Sequence, residues 1–270
     1  MTRSQLGTAV VTGASTGIGA IYADRLARRG HDLILVARNG ARLDRLAEDL
    51  RARTGRTVRT MPADLIRPVE LRAVEVLLRR EPDITVLVNN AGVGALMPLL
   101  QSDVEDMQRM LDLNVSALTR LTYAAAPVFA SRGRGTIINI ASIVGIAPEI
   151  LNGVYGASKA YVLALSQSLH HELHDKGVRI QAVLPGATAT EFWLAAGNPV
   201  ENLPPSIVMQ ADAMVDAALA GLDRGEVVTI PGLHQGEKWV QYEALRKELS
   251  GLFGHSTPAP RYLEREEIAS

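Results

Sequence analysis

Short runs of β-branched and apolar residues alternate along this chain with longer segments of helical periodicity. Seven such runs predict strands: Thr8–Thr12, Leu33–Ala37, Thr57–Met61, Thr85–Val88, Thr136–Ile140, Arg179–Leu184 and Val227–Ile230. Apolar residues follow one another in these runs without alternating with polar ones, which is typical of strands that are buried on both faces.

The segments between the strands have the spacing of helices that bury one face. They are Gly17–Arg29, Ala41–Arg53, Val69–Arg80, Ser102–Ala130, Tyr155–Asp175 and Ala211–Leu222. This strict βα alternation predicts an α/β protein with a single doubly wound Rossmann fold, in which helices cover both faces of a seven-stranded parallel sheet. Ligands of such sheets bind at the carboxyl ends of the strands.

Two regions fall outside the alternation. Residues 187–209 are rich in Pro, Ala and Asn and contain Phe192 and Trp193, which predicts a substrate lid. Residues 232–270 carry apolar side chains at roughly helical spacing and then a Pro-containing tail. We therefore predict a Rossmann-type domain over residues 1–231, with a C-terminal helix and tail over residues 232–270 packed on the same domain.

The composition narrows the class of protein. With 47% hydrophobic residues, 21% charged residues and a formal net charge of -1, the chain can bury a sizeable core and has no bulk field for nucleic acid or an anionic membrane. It has no cysteine, which excludes disulfides and thiolate chemistry. We see no export signal and no apolar run long enough to cross a bilayer, and expect a cytoplasmic protein without membrane or nucleic-acid partners.

A glycine-rich turn, Thr12–Gly19, follows the first predicted strand and leads into a helix. Glycine lets the backbone approach a pyrophosphate closely, and a helix N-terminus offers N–H groups and a favourable dipole to an anion. The spacing is G-x-x-x-G-x-G and departs from the general G-x-G-x-x-G pattern. Taken alone, the segment is also compatible with a tight turn that binds no ligand.

The residues after the second predicted strand bear on the choice of cofactor. They are Ala37-Arg38-Asn39, and the next acidic residue is Asp44. An acid at this place hydrogen-bonds the ribose of NAD, whereas an arginine accommodates the 2′-phosphate of NADP. We therefore predict that NADP(H) is preferred over NAD(H), with Arg38 at the phosphate, although a solvated Arg38 at a strand end is the alternative.

Three polar residues form a candidate catalytic group. Tyr155 and Lys159 are four residues apart near the start of a predicted helix, so both side chains project from one face, and Ser142 follows the fifth predicted strand. Lowering the pKa of a tyrosine from about 10 by about three units takes roughly 4 kcal/mol. We expect Lys159 and the positive charge of oxidised nicotinamide to supply it. Ser142 has no G-x-S-x-G surroundings, so it is not expected to act as a nucleophile.

From about Thr8 to Ile230 the chain resembles the short-chain dehydrogenase/reductase superfamily. The motifs that carry the likeness are Thr12-Gly13-x-x-x-Gly17-Ile18-Gly19, Asn89-Asn90-Ala91-Gly92, Asn114, Ser142, Tyr155-x-x-x-Lys159 and Pro185-Gly186. The resemblance implies a catalytic set of Asn114, Ser142, Tyr155 and Lys159. In that set Asn114 holds a water of a proton relay, and Lys159 also binds the nicotinamide ribose.

The motifs, the strand ends and the resemblance together define two sets of expected site residues. The cofactor set is Gly13, Ser15, Thr16, Gly17, Ile18, Gly19, Arg38, Asn39, Asp64, Leu65, Asn90, Ala91, Gly92, Tyr155, Lys159, Pro185, Gly186 and Thr188. The substrate set is Gly94, Leu96, Ser142, Ile143, Val144, Leu151, Asn152, Tyr155, Phe192 and Trp193. We expect no metal, because His170, His171 and His174 do not give H-E-x-x-H.

These expectations describe an NADP(H)-dependent enzyme that interconverts a neutral, fairly apolar ketone or aldehyde and its alcohol, with Tyr155 as general acid/base. Glu149 and Asn152 leave a polyol substrate open. A 3-oxoacyl-thioester reductase is an alternative, and so is a non-catalytic NADP(H)-binding sensor or interaction protein on the same fold. The resemblance also implies a homodimer or homotetramer that pairs through the two long helices.

Overall fold

The computed structural model describes residues 6–263. Its main sheet has seven strands, all parallel, in the order β3-β2-β1-β4-β5-β6-β9. The strands are β1 Thr8–Thr12, β2 Asp32–Ala37, β3 Val58–Pro62, β4 Ile84–Asn89, β5 Gly135–Ile140, β6 Val178–Val183 and β9 Val228–Thr229. The predicted doubly wound Rossmann fold with a seven-stranded parallel sheet is confirmed.

The helices are α1 Gly17–Arg28, α2 Gly40–Thr54, α3 Pro68–Arg80, α4 Val104–Leu111, α5 Leu118–Ser131, α6 Gly153–Leu173, α7 Phe192–Ala195, α8 Ala211–Asp223 and α9 Gly236–Ser250. Most predicted ends are displaced by one or two residues, because the apolar pattern does not specify the caps. The start of α6 is an example, since Asn152 caps it by accepting hydrogen bonds from the backbone of Val154 and Tyr155.

Side chains on the two faces of the sheet enter two separate cores, which explains the continuous apolar strands. Val11 and Leu35 pack in the core beneath α1, α2 and α8, whereas their neighbours Val10 and Ile34 pack in the core beneath α3, α5 and α6. A strand with a core on each face has no polar face to present to water, so its sequence does not alternate.

The helix predicted over Ser102–Ala130 is continuous in the structure but contains an irregular turn. The α-helix begins at Val104, and a π-helical segment, Asp112–Ala117, separates α4 from α5. A π-helical segment adds a residue to one turn and often occurs at functional sites. Asn114 lies within it.

The predicted lid, residues 187–209, contains a second sheet that the sequence pattern did not indicate. Two strands of two residues each, β7 Thr188–Ala189 and β8 Met209–Gln210, pair in parallel. In the chain, α7 lies between them. The chain divides into two compact units, Met1–Gly232 and Leu233–Ser270, and α9 belongs to the second. The packing of the second unit on the first stays a prediction. Among residues 6–263, the structure contains no helix that meets the length and hydropathy needed to cross a membrane.

Candidate active site

Hydrogen bonds join the carboxyl ends of β1 and β4, which are neighbours in the sheet. The Thr12 hydroxyl donates to the carbonyl of Val88 at 3.1 Å and accepts from the N–H groups of Asn90 and Ala91. The Asn90 amide donates to the carbonyls of Thr12 and Gly13. The Asn-Asn-Ala-Gly segment is therefore tied directly to the glycine-rich turn.

The glycine-rich turn has the shape of a phosphate cradle. Gly13 has φ +64°, and a Cβ on Gly19 would lie 2.3 Å from the carbonyl oxygen of Gly13, so neither position tolerates a side chain without rearrangement. Among the described residues the Thr16 side chain makes no cap hydrogen bond to α1, and the first turn of α1 carries no acid. The helix N-terminus can therefore offer its N–H groups and its dipole to an anionic group, which suits a pyrophosphate.

Arginines lie at the end of β2 and on the first turn of α2. Arg38 is exposed. The side chain of Asn39 accepts a hydrogen bond from the backbone of Arg42 and caps α2. The guanidinium of Arg42 pairs with the carboxylate of Glu191 at 2.8 Å, which links α2 to the lid. The site thus presents an exposed guanidinium where a 2′-phosphate was predicted to bind.

Asp64 and Leu65, after β3, were predicted to contact the cofactor. The Asp64 carboxylate accepts from the backbone of Ile66, and the Asp64 backbone donates to Glu70. Leu65 is buried in the core beneath α3 and α5. Both residues are thus held at a strand end, and their contact with the cofactor stays a prediction.

Ser142, Tyr155 and Lys159 converge at the carboxyl end of β5. All three are buried. The Ser142 hydroxyl donates to the carbonyl of Pro185 at 3.3 Å and lies close enough to the Tyr155 phenol to oppose the effect of burial on its pKa. The Lys159 ammonium lies 5.9 Å from the centre of the Tyr155 ring and donates to the carbonyl of Ile140 at 2.8 Å. The structure therefore brings together the hydroxyl, phenol and ammonium that the sequence analysis grouped.

Asn114 is held beside this group by the π-helical segment. Its amide donates to the carbonyl of Val93 at 2.9 Å and to the hydroxyl of Ser158 at 3.2 Å, and its oxygen accepts from the N–H of Val93. A Cβ on Gly92 would lie 3.1 Å from the Asn114 oxygen and 3.6 Å from the Lys159 nitrogen. Asn114 and Lys159 therefore flank the same point of the backbone.

Burial shifts the pKa values of both ionisable groups. It raises the pKa of Tyr155 to about 12, an effect that the hydrogen bond from Ser142 opposes, and it lowers the pKa of Lys159 to about 8. Desolvation disfavours the phenolate and the ammonium alike. Burial therefore shifts the Tyr155 pKa upward. The sequence analysis expected Lys159 and oxidised nicotinamide to shift this pKa downward.

The depressed pKa of Lys159 predicts a pH-dependent stability. Because the unfolded chain retains this proton at pH values where the folded chain has lost it, the contribution of Lys159 to the unfolding free energy rises with pH above about 8. We expect the unfolding free energy of the wild type to rise relative to that of Lys159→Met, by up to about 1.4 kcal/mol per pH unit between pH 8 and 10. Urea denaturation of both proteins at pH 7, 8, 9 and 10 measures the difference, and parallel curves would contradict it.

Apolar side chains surround the Tyr155 ring. Buried Met110 and Val144 pack with it, and the partly buried residues of this cluster are Val93, Ala95, Met107, Ile143, Leu151, Val154 and Phe192. The sequence analysis named Ile143, Val144, Leu151 and Phe192 but missed the two methionines. They precede Asn114 by seven and four residues, a spacing that places all three side chains on one helix face.

Four further predicted site residues have defined structural contacts. The Asn152 amide donates to the carbonyl of Met97 at 2.6 Å in addition to capping α6, so it ties the segment after β4 to α6. The Trp193 indole donates to the carbonyl of Thr188 at 2.9 Å, and the Thr188 hydroxyl donates to the carbonyl of Gly186. Asn152 therefore holds the segment after β4, and Trp193 and Thr188 hold α7 to the turn after β6.

Comparison with known proteins gives one family and several relatives. The profile of a family described as short chain dehydrogenase matches residues 7–198. The very-long-chain 3-oxoacyl-CoA reductase of Anas platyrhynchos is 34% identical over 188 residues, which are 68% of this chain but 60% of that protein. The match thus spans well under two thirds of the reductase's own length.

Two solved structures resemble the chain over nearly its whole length. One is a short-chain dehydrogenase from Sphingobium yanoikuyae in complex with NADPH, with 50% identity, a TM-score of 0.92 and coverage of 95% of this chain and 99% of that one. The other is the bulky-bulky ketone specific alcohol dehydrogenase from Comamonas testosteroni, with 45% identity, a TM-score of 0.88 and coverage of 96% and 99%.

Proposed function

Because this chain belongs to the short-chain dehydrogenase family, we propose that it is an NADP(H)-dependent oxidoreductase that interconverts a neutral, bulky, apolar ketone and its secondary alcohol. The observation that carries the proposal is the convergence of Ser142, Tyr155 and Lys159 at the end of β5, inside an apolar cluster. Such a group can bind a carbonyl oxygen and give it a proton.

The glycine-rich turn and Arg38 support NADP(H) as the cofactor. The N-terminus of α1 would hold the pyrophosphate and Arg38 the 2′-phosphate, while Lys159 would bind the nicotinamide ribose. When bound, the cofactor supplies or accepts the hydride at the substrate carbon. The 50% identical relative was solved with NADPH, which supports the same choice.

The chain's own groups manage the proton and the oxygen. Ser142 is placed to donate a hydrogen bond to the substrate oxygen and to orient it beside Tyr155. Tyr155, protonated in the buried site, gives its phenolic proton to that oxygen during reduction and takes one back during oxidation. Lys159, when charged, stabilises the resulting phenolate, and Asn114 beside it positions the path by which the proton is replaced.

The chemistry of the pocket mouth supports a neutral substrate. Three segments, residues 93–110, 143–152 and 187–209, bring residues to the Tyr155 cluster. They contain one basic residue, Arg109, which pairs with Asp106, and six acids, Asp103, Glu105, Asp106, Glu149, Glu191 and Glu201. Such a charge distribution repels anions, whereas the apolar cluster favours hydrocarbon substituents. The relative that is specific for bulky-bulky ketones supports the same substrate class.

A 3-oxoacyl-thioester reductase is the second candidate function, because the Anas platyrhynchos relative has that activity in its name. A thioester carrier with phosphate groups needs cations at the mouth of the pocket. The three segments above supply acids there, so this chain fits the ketone better.

The proposal is tested by following NADPH absorbance with a panel of ketones, aldehydes and one short 3-oxoacyl thioester. We expect oxidation of NADPH with ketones that carry two bulky apolar groups, and much slower reaction with the thioester. Reaction with the thioester alone would favour the second candidate. Cofactor binding without turnover on the whole panel, in both directions, would favour a non-catalytic role.

Self-association is part of the proposal. We propose a homo-oligomer that pairs through α5 and α6, and Tyr123 on α5 supports it as a large aromatic side chain that is 63% exposed. Light scattering coupled to gel filtration measures the mass, and we expect a dimer or tetramer. A Tyr123→Glu change should reduce that mass, because a buried unpaired charge opposes association.

A further inference from the structure

The ring of Phe192 lies directly against the proposed proton donor. Its centre is 6.0 Å from the centre of the Tyr155 ring, with an angle of 43° between the ring planes. Phe192 begins α7 in the lid, whereas Tyr155 lies in the first turn of α6. The lid therefore reaches into the apolar cluster at the atoms where a substrate must bind.

The far edge of the same ring lies on Gly94. A Cβ at position 94 would lie 2.2 Å from Cζ of Phe192, 2.9 Å from Cε2 and 3.0 Å from Cε1. Among the described residues, these are the three atoms nearest to that point. Real Cβ atoms do not approach other atoms so closely, so the ring occupies the space that any side chain at 94 would need. The absence of a side chain at Gly94 is what lets Phe192 lie this deep.

The neighbouring tryptophan holds the lid backbone in place. Trp193 is buried, its ring meets Phe192 edge-on with centres 5.8 Å apart, and its indole donates to the carbonyl of Thr188 at 2.9 Å. This bond fixes α7 to β7 within the lid, so rotation of the Phe192 side chain is the motion that would free the space at Gly94 without moving α7. Phe192 is thus a partly exposed side chain on a backbone that its neighbour holds in place.

We propose that Phe192, seated on Gly94, determines which ketones the site accepts, by limiting the space for the second substituent of the carbonyl carbon. The inference rests on the proposed function and adds its specificity determinant. A small ketone binds with the ring on Gly94, whereas a ketone with two bulky groups requires the ring to turn away. Gly94 acts through Phe192, because within residues 6–263 the three atoms nearest to a Cβ at this position all belong to that ring.

The test compares kcat/KM for 2-butanone and for dicyclohexyl ketone in the wild type and in Phe192→Ala. Deleting the ring opens the pocket, so the ratio of bulky to small should rise by about tenfold or more, the size of effect that a few methylene groups produce in an apolar pocket. Phe192→Leu should give an intermediate ratio. Leu194→Ala is the matched control, since Leu194 is on the same short helix and 68% exposed, and its ratio should not change.

Gly94→Ala, alone and combined with Phe192→Ala, tests the seat itself. The methyl group should displace the ring and change the ratio by about tenfold in the wild-type background, and it should have little effect once the ring is absent. NADPH binding to each variant confirms that it is folded. An unchanged ratio in Phe192→Ala, or an equal effect of Gly94→Ala in both backgrounds, overturns the inference while wild-type turnover upholds the proposed function. Absence of wild-type turnover on both ketones overturns both.

Discussion

Tyr155→Phe is expected to lose at least about 10³-fold in kcat while it still binds NADPH, because general acid catalysis by a placed side chain contributes in this range. The change deletes one oxygen atom, and with it the proton that reduction must deliver to the substrate. The ring remains to pack against Phe192 and the rest of the apolar cluster. Steady-state turnover with a responsive ketone measures the loss, and cofactor fluorescence measures binding.

Tyr161→Phe is the matched control for this prediction. Tyr161 lies on the same helix α6, one and a half turns further on, and its hydroxyl pairs with the Thr119 hydroxyl at 2.9 Å. It should keep wild-type turnover. Substantial turnover in Tyr155→Phe would mean that another group, or water, supplies the proton, and the proposed mechanism would be wrong.

Arg38→Asp is expected to weaken NADPH binding by at least about 100-fold and NADH binding by only a few-fold, since it removes charge-assisted hydrogen bonds worth about 1.5–3 kcal/mol and adds repulsion of the 2′-phosphate. NADH lacks that phosphate, and a carboxylate at this place can accept hydrogen bonds from its ribose. Dissociation constants from fluorescence titration of both cofactors measure the change.

Arg45→Asp is the control. Arg45 is an exposed arginine in α2, seven residues after Arg38, and its substitution makes the same change in charge. It should leave the ratio of the two dissociation constants near that of the wild type. If Arg38→Asp weakened the two cofactors equally, its effect would be general electrostatics, and another residue would hold the phosphate. Arg42 would be the next residue to test, because it lies in the first turn of α2, close to Arg38 in the chain, and its guanidinium pairs with Glu191.

The continuous apolar strands were enough to predict the sheet. Each residue of a strand such as Val10-Val11 or Ile34-Leu35 faces one of two cores, and this burial is a property of the strand itself that its own residues report. The placement of Ser142 at the site followed from its position just after β5, because the carboxyl ends of parallel strands meet at one edge. Local spacing also placed Lys159 one helical turn from Tyr155.

The pattern failed where a contact joins residues that are far apart in the chain or where backbone geometry departs from a regular helix. The π-helical turn at Asn114 has the residues of an ordinary helix, so the sequence does not reveal it. Asn114 is held at the site by its hydrogen bonds to Val93 and Ser158, which are distant in the chain. The bond from Asn152 to Met97 is another contact between residues that are far apart in the chain.

The sequence by itself therefore determined the fold class and the glycine-rich turn, because local periodicity and strand-end position report these features. Helix spacing, strand-end position and the resemblance to the family together grouped Ser142, Tyr155 and Lys159. Tertiary structure alone decided that the ring of Phe192 would lie on Gly94 and against Tyr155. Nothing near either residue in the chain encodes that contact, since it depends on how closely two segments about a hundred positions apart can pack. The direction of the Tyr155 pKa shift was decided there too, because burial is a property of the folded surroundings.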